Sequence, residues 1–391
     1  MGLPDESYYR EWVERLCEFD RTSASEGERR AAELIVAELG AAGARDARIE
    51  ETDVLGNYWW PLGLMTGAAA VAGALRSRVL AIVVGVLSAI GVADDVRHDN
   101  RRFRHMLPGR RPSWNAVAEV GPADAPRTVL IVSHHDAAHS GLVFHPGLPR
   151  AIGRRFPDFW AKQKTTPGVM WAAFCGPLFV ALGALLDMPR LRRTGIVLSV
   201  GHTAGMVDIG LRATVPGAND NATGCAALLG LARSFAADPP PGTRVILLSS
   251  GSEESNSEGM QGFAKKHFAS LATETTRVIA IDTLGSPTLL PIEGEGMLGI
   301  WDYPRDLLAE LHAHADRLGI ELYTGLRFRN ATDGVIALKA GYPTLSLGSA
   351  DEFKIPSNYH WPSDVPENID YGTVADGARL VEALVRATPP S

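Results

Sequence analysis

The sequence predicts an α/β fold: three α/β/α layers, a mostly parallel mixed sheet with helices on both faces, and two inserted apolar helical hairpins. Two patterns carry that expectation. Apolar runs at 127–133, 243–250, 278–282 and 342–348 alternate with helix-like segments at 222–236, 258–270, 305–318 and 372–386. Strands covered by helices on both faces read as such unbroken apolar runs. Two further stretches, Trp59 to Ala93 and Gly168 to about Val207, are apolar pairs joined by short basic turns. With 391 residues, 46% of them hydrophobic, the chain can bury one large core or two ordinary ones.

Taken in order, residues 5–44 read as two helices, the second capped by Ser23 or Ser25, and 46–54 as a strand. The first apolar pair is broken at Arg76 and Arg78, the second at Arg190, Arg192 and Arg193. The run Pro239 to Gly242 is a connector, because consecutive prolines supply no ladder donors. A formal net charge of −7 spread along the chain excludes nucleic acid as the main partner. Cys17, Cys175 and Cys225 are far apart, so neither a disulfide framework nor a thiolate metal site is expected, and a reducing compartment fits. The acidic, amphipathic start, MGLPDESYYREWVERLCE, lacks the order of a secretory signal, which places it in the cytoplasm.

Polar clusters follow the apolar strands, where open α/β sheets collect their ligands. TVLIVS runs into His134-His135-Asp136. Strand alternation sends His134 and Asp136 the same way, so that one can bind a metal and the other orient it. The segment Gly217 to Gly224 (GANDNATG) opens a helix, and its bland reading is an Asx cap. SSGSEE at 249–254 ends in Glu253-Glu254, a pair that repels itself without a cation or proton. Asp282 ends the run VIAI, and His360 lies in YHWPSD. Asp220 and Glu254 are 34 residues apart, Glu254 and Asp282 28, each one strand–helix step. His135, His139 and His145 read as solvated loop histidines.

In this order the five clusters resemble the M28 metallopeptidases, whose motifs run HxD, GAxDxxSG, a Glu-Glu pair, an Asp after a strand, and a late YHxxxD. The resemblance covers 112–136 and 214–387, with PSWNAVAEV similar to the family's NVIAE strand. It implies two Zn2+ ions per chain. Asp220 would bridge them, His134 and Asp282 would complete one site, and Glu254 and His360 the other. Glu253 would be the general base acting on a metal-bound hydroxide, with Asp136, Tyr359 and Asp364 as supporting or substrate-contacting residues. Tyr359 reads equally as an oxyanion donor or a packed aromatic. The implied activity is an aminopeptidase acting on peptides or aminoacyl amides. Alternatives are an amidohydrolase, a glutaminyl-cyclase-like acyl transferase, or a non-catalytic membrane-bound binding module. Two departures put substrate preference in question: Ser255 to Met260 replaces the family's usual Gly-Leu turn, and Thr332-Asp333-Gly334 stands where many members carry SDH. Asp333 then reads as a helix cap.

The expected organisation is one M28-like catalytic domain (1–58, 112–166 and 212–391), hairpin inserts at 59–95 and 167–211, and a basic flank at 96–111. That flank carries Arg97, Arg101, Arg102, Arg104, Arg110 and Arg111. A span needs roughly 20 apolar residues, which 168–186 barely meets. Trp59, Trp60 and Trp171 suit an interfacial belt. The hairpins therefore read as membrane contacts that hold the catalytic domain on the cytoplasmic side, or as a homodimer interface in a soluble cytoplasmic protein.

Overall fold

Capping and apolar spacing set the first elements of the chain, which a computed structural model describes over residues 2–387. Helix α1 (Glu6–Cys17) is capped by Asp5, and α2 (Glu26–Ala41) by Ser25, whose hydroxyl accepts from the Glu28 amide at 3.2 Å. Strand β1 (Arg45–Val54) follows. Helices α3 (Trp59–Ala74), α4 (Arg78–Val96) and α5 (Arg102–Met106) lead to β2 (Arg111–Val120) and β3 (Arg127–His134). Between β3 and the next strand lie α6 (Gly147–Arg155), α7 (Pro157–Ala161), α8 (Met170–Leu185), α9 (Pro189–Leu211) and α10 (Thr223–Ala237). Then come β4 (Thr243–Ser250), α11 (Glu258–His267), β5 (Thr276–Ile281), β6 (Thr288–Pro291) and a short ribbon of β7 (Gly294–Glu295) with β8 (Trp301–Asp302). Helices α12 (Arg305–Leu318) and α13 (Gly334–Lys339), strand β9 (Thr344–Ala350) and α14 (Tyr371–Ala387) complete it.

The main sheet has the order β1-β2-β4-β3-β5-β9-β6. Its centre, β4-β3-β5-β9, is parallel, and β1, β2 and β6 join antiparallel at the flanks. Every residue of β3 is buried, as its unbroken apolar run requires, whereas edge strand β1 is polar and half-exposed. Parallel strands all point their carboxyl ends one way, so the loops after β3, β4, β5 and β9 converge.

Helices α3, α4, α8 and α9 pack on one another. Small residues lie at their crossings: a Cβ on Gly85 would stand 2.8 Å from the Pro177 carbonyl oxygen, and one on Gly195 2.5 Å from the Val180 nitrogen. Many large apolar side chains also point outward, with Val71, Val79, Leu87, Ile90, Val197 and Leu211 all more than half exposed. Leu62, Val92, Val180 and Ile209 are buried between the helices, so the unit is apolar both inside and outside, and close crossings at small residues are common where helices pack in lipid. Among the described residues, Arg78–Val96 and Pro189–Leu211 are long and apolar enough to cross a membrane; Met170–Leu185 is apolar but shorter.

Two expectations about arginines are corrected. Arg190, Arg192 and Arg193 are not in a turn, because Pro189 at the first helical position starts α9 there. Arg192 donates to the carbonyls of Gly73 and Leu75, and Arg78 to that of Leu185, so these tip cations satisfy orphan carbonyls at neighbouring helix ends. Nor do Arg101 and Arg104 form a surface flank, since both are fully buried. Arg104 holds Asp95 at 2.6 Å and Glu258 at 3.2 Å and donates to the carbonyls of Asn57 and Ser255. It thereby ties α4, the entry to α3 and the start of α11 together.

Replacing one partner of a buried ion cluster strands the others. Arg104→Met should lower unfolding stability by about 3–5 kcal/mol in denaturant titrations. A change below about 1 kcal/mol, as for an exposed pair, would contradict the clamp.

Candidate metal centre

Each site residue is delivered by the end of a parallel strand or the start of a helix. His134 ends β3, Glu253 and Glu254 follow β4, Asp282 follows β5, and His360 lies in the loop after β9. Asp220 stands in the irregular turn before α10, at a cis Asp220–Asn221 peptide. Gly224 at the start of α10 has to lack a side chain, since a Cβ would come 2.4 Å from Asn221 Oδ1 in that turn. The Glu pair is bracketed by left-handed residues, Ser252 (φ 51) before it and Asn256 (φ 65) and Ser257 (φ 57) after it. That backbone is uncommon for such residues and gathers at functional sites.

These loops bring together all six residues expected at the centre. Asp220 lies between two imidazoles: His134 Nε2 is 3.2 Å from its Oδ1 and His360 Nε2 3.1 Å from its Oδ2. Asp282 Oδ2 is 3.8 Å from His134 Nε2, and Glu254 Oε2 is 3.3 Å from His360 Nε2. Glu253 Oε2 stands 3.9 Å from His134 Nε2. Ligand atoms of His134, Asp220 and Glu254 all fall within 4.8 Å of one another. His134 Nε2 and Glu254 Oε1 are buried without a hydrogen-bond partner, and buried polar atoms left so call for an ion or water. Burial pushes the carboxyls of Glu253 and Asp282 well above the usual range, with neighbouring carboxylates adding to it. A nitrogen-and-oxygen donor set this crowded with negative charge fits a divalent cation such as zinc.

The supporting residues sharpen the sequence reading. Asp136 does lie beside His134, 3.4 Å from its Nδ1. Its carboxylate also accepts from the amides of Glu253 and Glu254, both at 3.0 Å, and from Ser23 Oγ at 2.6 Å. Asp364 does the same for the Asp220 turn, accepting from the amides of Asn219 at 2.7 Å and Asp220 at 3.1 Å. Tyr359 stacks on His360 with ring centres 3.9 Å apart. Asp333 is not a side-chain cap; it is buried and accepts from Ser250 Oγ, and its charge helps to raise the Glu253 carboxyl. The histidine missing at Gly334 has no room, because a Cβ there would meet the Tyr303 hydroxyl at 2.7 Å.

Sequence reasoning missed Glu28, which is fully buried in α2 and accepts from the Ser252 amide at 2.6 Å. It also missed Asn221, whose amide group links Ile281 O, Thr283 N and Gly224 N. The histidines divide. His135 is not solvated but fully buried, with Nδ1 2.9 Å from Ser249 Oγ. His139 is half-buried against Trp59 and pairs with Arg212 O at 2.7 Å. His145 is exposed, as expected.

The family model of peptidase family M28 matches residues 192–385, which include Asp220, Glu253, Glu254, Asp282 and His360. This part of the chain belongs to peptidase family M28. No curated protein matches the chain. Among solved structures, the fold is similar to glutaminyl cyclase from Tannerella forsythia (TM-score 0.58, 14% identity, covering 98% of this chain and 99% of that one). It is also similar to BSAP, a zinc aminopeptidase from Bacillus subtilis (0.57, 13%, 98% and 95%), and to LapB from Legionella pneumophila (0.56, 12%, 97% and 71%). At such identities the likeness is one of fold.

The M28 centre opens into a cleft of about 240 Å³. Glu253, Glu254 and His360 form its inner end, and Tyr58, Phe144, Met170 and Met297 give it apolar walls. Tyr58 immediately precedes α3 and Met170 begins α8, so the cleft lies against the base of the four apolar helices.

Burial holds His135 neutral, its pKa pushed down to about 4 from 6.5. Below pH 6.5 the unfolded chain takes up a proton that the folded chain refuses, so this contribution to stability is lost as pH falls from 6.5 toward 4. Urea unfolding across that range should show a shallower loss for His135→Gln. Equal slopes for both proteins would contradict the burial of a neutral imidazole.

Proposed function

We propose that the protein is a di-zinc aminopeptidase held at a membrane by its four apolar helices. The observation that carries this reading is Asp220 set between two imidazoles, each with a further carboxylate beside it. His134, Asp220 and Asp282 would hold one ion, and Glu254, Asp220 and His360 the other. Bound zinc supplies Lewis acidity to the scissile carbonyl and to the attacking water.

Glu253 is left for proton transfer. It is next to a proposed ligand in sequence and points into the same cluster, and burial raises its carboxyl well above the usual carboxylate range, which favours proton transfer. In the forward step its Oε takes a proton from the attacking water, and the same atom later delivers it to the leaving amine. Tyr359, stacked on His360 and lining the cleft, would be the donor to the carbonyl oxygen. The apolar walls favour an aminoacyl side chain of apolar character over a charged one.

The membrane part rests on the large apolar side chains exposed around the helices and on the small residues at their crossings. A dimer interface would require one flat apolar face, whereas the exposed side chains lie on α3, α4 and α9 alike. A span of 19 residues in α4 is about 28 Å long at 1.5 Å per residue, close to the hydrocarbon thickness.

Hydrolysis of a panel of aminoacyl amides tests the chemistry. Glu253→Gln should lose about 10²–10⁴-fold in kcat while keeping its zinc content, and undiminished activity would remove Glu253 from the mechanism. An N-terminal glutaminyl peptide in the same panel separates the glutaminyl-cyclase alternative: release of free glutamine supports the peptidase, and release of ammonia with ring closure supports the cyclase. Separately, the protein should stay with membranes after an alkaline wash and require detergent for extraction. Recovery in the soluble fraction without detergent would contradict the anchor.

A further inference from the structure

The wall of the cleft continues into a surface for which peptide hydrolysis has no use. Residues 142–169 join the site to α8, and within them Leu142, Val143, Leu148, Phe156, Phe159 and Val169 are each 50% exposed or more. The same stretch carries Arg150, Arg154, Arg155, Lys162 and Lys164 against the single acid Asp158. Arg150 pairs with Asp351 at 3.5 Å. Arg154, Arg155, Lys162 and Lys164 are exposed and form no ion pair with a described carboxylate, although Arg154 and Arg155 lie over the rings of Phe353 and Phe156. Exposed large apolar side chains interleaved with cations that face no carboxylate are costly for a loop facing water and suited to the headgroup layer of a membrane.

Position supports the same occupant. Val169 leads directly into α8, and Trp171 and Trp60, both more than 40% exposed, stand at that same end of the apolar helices, where aromatic belts lie. The segment is also fixed to the site. Trp160 Nε1 donates to Phe353 O at 2.9 Å, Lys354 Nζ to Ala161 O at 2.8 Å, and the Arg327 amide to Lys164 O at 2.9 Å. At its other end Phe144 packs edge-on against His360, with centroids 4.4 Å apart. The wall that touches a metal-centre histidine thus belongs to the element that carries the basic, apolar surface.

We propose that residues 142–169 dock on an anionic bilayer surface, with Phe156 and Phe159 among the headgroups and Arg154, Arg155, Lys162 and Lys164 against lipid phosphates. Docking sets the cleft over the membrane, so that its substrates are apolar peptides lying on the bilayer. This second half rests on the peptidase reading; the docking surface does not.

The test uses the full chain in nanodiscs of zwitterionic or anionic lipid. An environment-sensitive dye is attached at Phe159→Cys in a Cys17→Ser, Cys175→Ser background. A quencher on the lipid should quench the dye in anionic discs and much less in zwitterionic discs or at high salt. Reversing charge with Arg154→Glu, Arg155→Glu and Lys162→Glu should abolish the effect, since each lost cation weakens docking about fivefold, equivalent to about 1 kcal/mol per basic side chain near an anionic leaflet. Quenching that is absent, or indifferent to lipid charge and to the reversals, overturns the docking surface. Failure of the chain to enter discs at all overturns the membrane anchor instead. For the substrate half, anionic lipid should lower KM for an apolar membrane-bound peptide without changing kcat for a soluble aminoacyl amide; an equal response of both substrates overturns it.

Discussion

The rest of the structure is arranged around a concentration of buried negative charge. Asp220, Glu253, Glu254 and Asp282 converge on two imidazoles, with Asp333 close behind. Such a group costs several kcal/mol per ion to bury unless cations repay it. The fold spends further buried carboxylates to keep it in place. Asp136 holds the amides of the Glu pair, Asp364 those of the Asp220 turn, and Glu28 that of Ser252. Each converts a loop that could move into one held by charge-assisted hydrogen bonds. The left-handed residues around the Glu pair are tolerable because these bonds over-determine them.

The same logic reaches the apolar helices. Arg104 is enclosed between Asp95 at the end of α4 and Glu258 at the start of α11, and Glu258 in turn accepts from the amides of Leu55 and Gly56 on the way into α3. The four-helix unit is therefore bolted to the loop that follows Glu254. Its helices cross closely at glycines and expose many valine, leucine and isoleucine side chains, and its tip arginines serve as caps for neighbouring helix ends. The cleft opens at the base of this unit, so the hydrolysis and the anchoring proposed above would share one region of the fold.

Much of this was legible in the sequence, for identifiable reasons. Strands buried on both faces gave apolar runs that located β3, β4, β5 and β9 to within two residues. His134, Glu254 and Asp282 stood out because they follow strand ends, while the roles proposed for them and for His360 rested on the resemblance to the M28 motifs. What stayed hidden depends on side-chain paths through loops. Strand alternation placed Asp136 beside His134 but gave no sign that its oxygens reach the Glu pair, more than a hundred residues later. His135 looked like a loop residue because it follows the strand, yet Ser249 on the adjacent β4 receives it in the core. Asp333 looked like a cap because it precedes a helix, although its carboxylate turns inward to Ser250. Arg101 and Arg104 looked like a surface flank because a run of arginines is usually solvated, and only the positions of Asp95 and Glu258 show why two of them are not. Glu28 gave a signal that could have been read: it is an acid on the inward face of an amphipathic helix, where burial demands a partner.

The central claim is that the buried carboxylates exist to hold two metal ions, and metal content tests it most directly. Elemental analysis of the purified protein after equilibration with zinc should give two ions per chain, and Asp220→Asn, which weakens the oxygen shared by both sites, should lower both occupancies together. One ion or none in the wild type, or an Asp220→Asn protein that still holds two, would contradict the account.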